Sequence, residues 1–401
     1  MDKQIKDYLL KFNLSVKKSK DARFMDQKVT PDMTAFISDC ILNYVCKDVE
    51  REFTVKNIWD SHYFLNNYKA FYNKPDAQGE DVKREVNKFI EQPLKTLSYS
   101  HVLSCKKVGT RNIFKIQNYK ILEYISLKER NAFNFLYLYL IKVLSDSKEL
   151  THFERFKNKN NQDKVTSDDY NELKNCFRKF LWGHTKITPG KKNEPDRIFP
   201  KVLNIYSVYH GIRGSKGGFL SKASYYFSDL MYNKTNFRDI KKEKNVSRKQ
   251  AKEIGTDNER VAFKQDYLVN KAMAIIKKKY SKSEVTDDLA QGPASEVHHI
   301  FKKNEAPKIA HYLENLIKLT ASQHRTRAHL NGNYKAVDKE YQLVCLLSKS
   351  DSIEKSMNEG EFVYSKEAFV YVINTGLSTN IDLKLSYRDI KVKLAEIYNE
   401  S

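Results

Sequence analysis

The sequence predicts a multidomain α+β protein, mainly helical in its N-terminal and middle regions and followed by a small strand–strand–helix unit with a C-terminal extension. A chain of 401 residues suffices for about two or three domains. Apolar residues recur at helical spacing before residue 285, whereas residues 295–333 place two short apolar runs ahead of a helical stretch. These patterns divide the chain into residues 1–150, 151–285 and 286–401.

The chain is strongly basic, with 71 Lys and Arg against 50 Asp and Glu and a formal net charge of +21. This surplus favours a polyanionic partner such as double-stranded DNA; a generally lysine-rich composition is the alternative. The 5 cysteines are scattered and indicate neither a disulfide framework nor a zinc knuckle. There is no apolar signal region, and no apolar run is long enough to span a bilayer. We therefore expect a cytoplasmic protein without a membrane partner.

The first part is predicted to be helical. Thr30 and Pro31 suit the cap and first turn of a helix, and the apolar spacing of residues 36–45 continues it. Another helix is expected around residues 80–91, with Pro93 beginning the next one.

A basic hairpin is predicted after these helices, over residues 105–116, with its turn at Gly109 and Thr110. Helices followed by such a hairpin resemble the winged-helix module, in which one helix enters the major groove and the hairpin meets the DNA backbone. An unrelated α+β packing unit is the alternative. The resemblance implies a DNA-recognition domain over residues 1–150. The candidate DNA-binding residues on the hairpin are Lys106, Lys107, Arg111 and Lys115.

The middle part, residues 151–285, is predicted to be helical and to grip the DNA backbone. An apolar helix over residues 127–144 precedes it, residues 157–167 predict a loop, and a further helix is expected from Ser167 to about Trp182. Two later stretches, residues 186–222 and 241–282, are rich in Lys and Arg.

Glycines among the basic residues of 186–222 would let the backbone approach a phosphate, which Lys and Arg neutralise. A merely solvated loop is the alternative. The candidate DNA-binding residues there are Arg213, Lys216 and Lys222.

Histidines and an asparagine are ordered along residues 295–333. His298 and His299 end a short β-branched and apolar stretch, and Asn315 follows sixteen residues after His299. Asn315 opens the apolar run 316–319, and His324 lies nine residues after it in a predicted short helix. The predicted order is therefore strand, strand, helix.

Phosphodiester hydrolysis needs these residue types. A neutral imidazole can deprotonate water near pH 7, and a divalent cation offsets charge on the phosphate and the leaving oxygen. Imidazole nitrogen also binds divalent metals. A neutral amide, which both donates and accepts hydrogen bonds, can hold the base histidine in one orientation.

This arrangement resembles the HNH motif of ββα-metal nucleases, over about forty residues. The resemblance implies that residues 286–401 contain an HNH nuclease domain. It implies that His299 is the general base, that Asn315 orients it, and that His298 and His324 bind the metal.

The motif departs from the family pattern in two ways. His298 stands where many members have an acidic residue, and Ala328 occupies the position of a further metal histidine found in some members. His329 lies about 140° round a helix from His324, so the sequence makes it, with Glu296, only a secondary candidate. Adjacent strand residues also point to opposite faces, so His298 and His299 converge only if the strand twists or bulges.

The rest of the third part completes the prediction. Residues 341–347 are expected to form a strand or a buried helix, and residues 388–398 a closing amphipathic helix. Arg325 and Arg327, beside the motif, are candidate DNA-binding residues.

Nearly 300 residues precede the motif, far more than cleavage alone needs, so a target-reading region is expected. The composition and the stretch Asp-Gln-Lys-Val-Thr-Pro-Asp at residues 26–32 resemble type II restriction endonucleases of the HNH class. That likeness implies sequence-specific cleavage of double-stranded DNA with one divalent ion: Mg²⁺ or Mn²⁺, or alternatively Co²⁺ or Ni²⁺. Because recognition and cleavage are expected in separate parts of the chain, the cut is expected beside an asymmetric site. It also implies homodimerisation during cleavage and a cognate DNA methyltransferase. The alternatives are a phage-defence or toxin nuclease of low specificity and a non-catalytic DNA-binding protein.

Overall fold

The chain divides into two compact units, Met1–Arg260 and Val261–Ser401. Helices dominate, and the strands pair in two-stranded antiparallel sheets, so the predicted α+β class is confirmed. Among the described residues, no helix combines the length and apolar character needed to cross a bilayer. The computed structural model describes residues 1–46, 48–68, 83–191, 193–232, 257–329 and 338–400.

The first unit contains α1 (Asp2–Leu9), α2 (Val16–Ser19), α3 (Pro31–Val45), α4 (Val55–Trp59), α5 (His62–Tyr68), α6 (Lys83–Tyr99), β1 (Leu103–Val108), β2 (Arg111–Ile116), α7 (Tyr119–Leu127), α8 (Glu129–Asp146), α9 (Leu150–Asn161), α10 (Ser167–His184), α11 (Asn193–His210), β3 (Arg213–Lys216) and β4 (Phe219–Ser224). A helix Asp257–Lys279 includes the boundary between the units. The second unit contains β5 (Glu296–His299), β6 (Leu316–Leu319) and the helices Ala321–Thr326, Lys339–Asn358, Lys366–Leu377 and Tyr387–Asn399.

The apolar helix α8 lies at the centre of the first unit. It packs against α3 and α7, and also against α9 and α11, so the predicted boundary at residue 150 lies inside this unit. The predictions of α3, α8 and α10 are confirmed. The predicted loop at 157–167 is wrong at its start, because α9 continues to Asn161 and buries Phe156 and Asn160.

Helix α6 is continuous, whereas two helices were expected on either side of Pro93. Proline inside a helix costs about 3 kcal/mol because it removes a hydrogen bond and crowds the preceding turn. Phe89 and Ile90 before it, and Leu94 and Leu97 after it, are all fully buried. This unbroken apolar stripe offsets the cost.

The predicted hairpin is confirmed as β1 and β2, with Val108 opposite Arg111. Gly109 occupies its turn at φ +59°. Phe53 adds a third short antiparallel partner, since its N–H and C=O exchange hydrogen bonds of 2.9 and 2.7 Å with Phe114 of β2. The chain order is thus helix α3, the Phe53 bridge, helices α4 to α6, and the hairpin.

The second unit confirms the predicted order of strand, strand and helix, which occupies residues 296–326. Its core joins Ile300 and Leu316 of the motif region to residues of the last three helices, including Phe369 and Ile390. Residues 341–347 are helical, and the closing helix is confirmed as Tyr387–Asn399. Of the basic stretch 241–282, residues 241–256 lie outside the described residues.

A buried ion pair supports strand β6. Lys349 and Glu284 are 0% and 1% exposed, and their charged atoms are 2.9 Å apart. The second carboxylate oxygen of Glu284 accepts a hydrogen bond from the Lys318 backbone N–H at 2.8 Å, and Lys349 also donates to Tyr364 at 2.8 Å. The pair therefore ties the helix Lys339–Asn358 to β6.

We predict that Lys349→Met lowers the free energy of unfolding of the second unit by roughly 3–5 kcal/mol, because Glu284 would remain buried without its partner. Hydrogen–deuterium exchange on the full chain would show faster exchange confined to Val261–Ser401. The matched control is Lys391→Met, which removes an exposed pair with Asp351 and should cost less than about 1 kcal/mol. Equal effects of the two substitutions would contradict this account of the pair.

Candidate functional site

Three imidazoles meet in the second unit, from His298, His324 and His329. Their candidate ligand nitrogens all lie within 4.8 Å of one another. The ring centroid of His298 is 5.3 Å from that of His324 and 5.3 Å from that of His329, and the last two are 4.8 Å apart. His298 and His329 are buried, and His324 is partly exposed.

His329 joins this cluster because the helix ends early. The helix stops at Thr326, and Ala328 turns into the core at 1% exposure. The argument that set His329 about 140° away from His324 assumed a continuing helix and is wrong for that reason. The structure brings the secondary candidate His329 together with both predicted ligands.

Burial and the neighbouring histidines disfavour the charged forms of His298 and His324. Burial first, then the neighbouring histidines, lower the pKa of His298 to about 3. Burial, followed by His329, lowers the pKa of His324. Because both pKa values lie below the usual value near 6.5, the rings of His298 and His324 are neutral at pH 7. Neutral imidazole is the form that binds metal.

The donor set fits a divalent transition metal. Zn–N bonds of about 2.1 Å place tetrahedral ligand nitrogens roughly 3.4 Å apart, so small side-chain rotations would close the cluster around an ion. Three protein ligands leave a coordination position open, which is typical of catalytic rather than structural sites. The described residues add no carboxylate to the three histidines. Glu296 lies outside the cluster, although its negative charge acts to raise the pKa of His324.

His299 does not belong to the cluster. Strand β5 pairs with β6 in regular register, with His298 opposite Ile317 and His299 opposite Leu316, so the two histidines point to opposite faces. The His299 Nε2 lies 3.0 Å from the Ala310 carbonyl oxygen. A carbonyl can only accept, so Nε2 carries the hydrogen and Nδ1 keeps its lone pair.

The environment of His299 favours that neutral form. Burial lowers the pKa of His299, and the hydrogen bond to Ala310 opposes this effect. The lowered pKa leaves the ring uncharged at pH 7, with Nδ1 able to accept a proton.

Asn315 acts on His299 only through the intervening loop. Its buried Oδ1 accepts from the Phe301 N–H at 2.9 Å, and its Nδ2 donates to the carbonyls of Phe301 at 3.0 Å and Ile309 at 3.3 Å. The Asn315 amide thus bonds to both ends of the loop formed by residues 301–309. The residue after this loop, Ala310, has the carbonyl that accepts the hydrogen bond from His299. The expected orienting role of Asn315 stays a prediction, and such an effect would pass through this loop.

Gln323, which the sequence reasoning missed, positions the helix that carries His324. Its buried side chain accepts from the Thr320 N–H at 3.0 Å and donates to the Val285 carbonyl at 3.0 Å and to Asp287 at 2.8 Å. With the Thr320 hydroxyl it forms a capping box. The spacing Thr-x-x-Gln before His324 was the available signal.

Several predicted DNA-binding residues have partners within the chain. Lys106 pairs with Glu52, Lys115 with Glu50 and Arg327 with Asp288. The Arg213 guanidinium donates to backbone carbonyls of Ser221 and Val165. Lys106 and Arg327 are nevertheless exposed, as are the remaining predicted residues: Lys107, Arg111, Lys216, Lys222 and Arg325.

A groove of about 1140 Å³ in the first unit is lined by α4, α6 and the turn of the β1–β2 hairpin. Its lining includes seven Lys or Arg residues against three acidic ones. Arg84, Asn87, Lys88, Glu91 and Lys95 face it from α6, at spacings that share one side of a helix. The apolar side of α6 faces the core, so the helix presents its polar side to the groove.

No model of a known protein family, no curated protein and no solved structure matches this chain.

We predict that His329→Ala lowers the affinity for Zn²⁺ or Co²⁺ as strongly as His324→Ala does. Each change removes one of three ligands and should exceed the 10–100-fold loss typical of an outer hydrogen-bond partner. Calorimetric titration of metal-free protein would measure both. His152→Ala, an exposed histidine of the first unit, is the control. Wild-type affinity in His329→Ala would remove that residue from the site.

Proposed function

We propose that the second unit is an HNH nuclease domain and that the protein is a metal-dependent endonuclease acting on double-stranded DNA. The observation that carries this proposal is the pairing of two features on strand β5. His298 contributes to a three-imidazole cluster, and the adjacent His299 is held with Nδ1 as an acceptor. Although the two side chains alternate between faces of β5, His299 is close enough to add to the effect of burial in lowering the pKa of His298. A metal ligand set near a fixed neutral base suits phosphodiester hydrolysis.

In this mechanism His299 is the general base. Its Nδ1 takes a proton from the attacking water, the oxygen of that water bonds to phosphorus, and the bond from phosphorus to the leaving oxygen breaks. The hydrogen bond from Nε2 to Ala310 fixes the ring and stabilises the imidazolium that forms. Asn315 keeps the Ala310 carbonyl in place through the loop.

His298, His324 and His329 would hold one divalent ion. When bound, it would neutralise charge on the scissile phosphate and on the leaving oxygen. Three nitrogen ligands favour Mn²⁺, Co²⁺, Ni²⁺ or Zn²⁺ over Mg²⁺, which prefers carboxylate and water oxygens. We therefore propose one of these four ions as the cofactor, in place of the Mg²⁺ that was among the ions expected from the sequence.

The first unit supports DNA as the substrate. The order of α3, the Phe53 bridge, helices α4 to α6 and the β1–β2 hairpin resembles a winged-helix module with α5 as an additional helix, and α6 is then the helix that enters the major groove. Its groove side carries the Arg and Asn side chains that pair with guanine and adenine edges. Lys106 and Lys115, engaged by glutamates, contribute less than the hairpin turn with Arg111.

A recognition groove together with a nuclease site favours a type II restriction endonuclease over a nuclease of low specificity. One such site cuts one strand, so double-strand cleavage would require two protomers, at least transiently. Recognition by one unit and cutting by the other allow cleavage beside an asymmetric site. A DNA methyltransferase of the same specificity would protect the host.

We predict that His299→Ala reduces nicking of supercoiled plasmid by at least about 10²–10⁴-fold, because the water loses its proton acceptor. Affinity for Zn²⁺ and for DNA should stay at the wild-type level, since His299 lies outside the cluster. His152→Ala should cut normally. Near-normal nicking by His299→Ala would reject the assignment of the base.

We also predict that Arg84→Ala or Asn87→Ala relaxes target choice. Loss of a base-edge contact should cost about 1–3 kcal/mol on the preferred sequence and little on other sequences. Selection from a random duplex library, repeated with each variant, would measure this change. The control is Lys120→Ala on α7, an exposed lysine outside the groove. A uniform loss across all sequences would instead assign both residues to phosphate contacts.

A further inference from the structure

The β3–β4 hairpin of the first unit ends in an exposed aromatic ring. Phe219 is 75% exposed and lies opposite Lys216 next to the turn. Gly217 and Gly218 form that turn with φ values of +62° and +89°, which L-residues rarely adopt. The hairpin therefore presents Phe219 beside a tight turn.

The base of this hairpin is rigidly held. The buried Asn204 side chain accepts from the Ser215 N–H at 2.6 Å and donates to its carbonyl at 2.9 Å. The Ser215 hydroxyl lies 2.7 Å from that of Tyr170. A Cβ at Gly214 would lie 2.6 Å from the Asn204 Oδ1, so the strand sits against this side chain with no space between them.

The turn itself is also anchored, since Lys174 donates to the Gly218 carbonyl at 3.4 Å. The hairpin is thus fixed at its base and at its turn, while the Phe219 ring remains in water. Within the unit, this ring adds little buried apolar surface to stabilise the hairpin. Contact with a partner would recover the apolar burial.

The charge around the ring identifies the class of partner. Lys216 lies opposite Phe219, Lys222 is exposed three residues further along the chain, and residues 213–228 contain no acidic side chain. Cations around a protruding aromatic ring match a nucleic acid, whose phosphates attract the lysines while its bases stack on the ring. Phenylalanine wedges inserted from the minor groove unstack base steps and kink the duplex.

We propose that Phe219 inserts between adjacent base pairs of the bound duplex, while Lys216 and Lys222 neutralise the flanking phosphates. This inference rests on the proposed DNA substrate and adds a distortion of that substrate. It gives the glycine-rich stretch a role different from the backbone grip expected from the sequence.

The test uses the full chain and a duplex that the wild-type protein selects from a random library. 2-Aminopurine is placed at each position in turn, because its fluorescence rises when a base is unstacked. Wild-type protein should raise the signal at one step only. Phe219→Ser should abolish that rise and weaken binding by about 5- to 150-fold, whereas Phe219→Leu should retain part of the rise.

Leu10→Ser, at a residue of the same unit that is 68% exposed, is the matched control and should keep the full signal. An unchanged rise in Phe219→Ser would overturn the inference and leave the proposed nuclease intact. A wild-type protein that binds no duplex would defeat the proposed function itself. If Phe219→Ser alters only self-association in size-exclusion chromatography, the ring contacts a second copy of the chain and the inference is wrong.

Discussion

The candidate site depends on the pairing of two four-residue strands, β5 and β6. An isolated two-stranded sheet of this length is marginal in water, so other parts of the second unit must hold it. Three buried polar side chains stabilise this sheet and the segments next to it. Glu284 binds the β6 backbone, Asn315 closes the loop after β5, and Gln323 fixes the helix that follows β6.

This support explains why the C-terminal helices belong to the same unit as the motif. Lys349, on one of them, neutralises Glu284 without exposure to solvent. Gly376, on another, lies so close to the Phe301 ring that a Cβ there would be 2.5 Å away. Asn315 also bonds to the backbone of Phe301. The packing of a C-terminal helix on Phe301 therefore supports the loop that leads to Ala310, the hydrogen-bond partner of His299.

Local patterns predicted much of the second unit. The order of strand, strand and helix and the positions of His298, Asn315 and His324 follow from spacing within forty residues. His329 was undervalued because the end of a short helix depends on tertiary packing around Ala328. The Lys106 and Lys115 pairs could not be foreseen, since their glutamates lie more than fifty residues earlier. Likewise, Pro93 suggested a helix boundary because the continuous buried stripe of α6 is a tertiary effect.

In the proposed function, the first unit binds DNA and the second unit cleaves it. Cleavage requires a metal ion bound to the second unit. Restoring metal to metal-free protein tests this most directly. Plasmid nicking should be absent in chelator and return on addition of Mn²⁺, Co²⁺ or Zn²⁺ with the same concentration dependence as calorimetric binding to the three histidines. Nicking that persists in chelator, or metal binding that never restores it, would contradict the account.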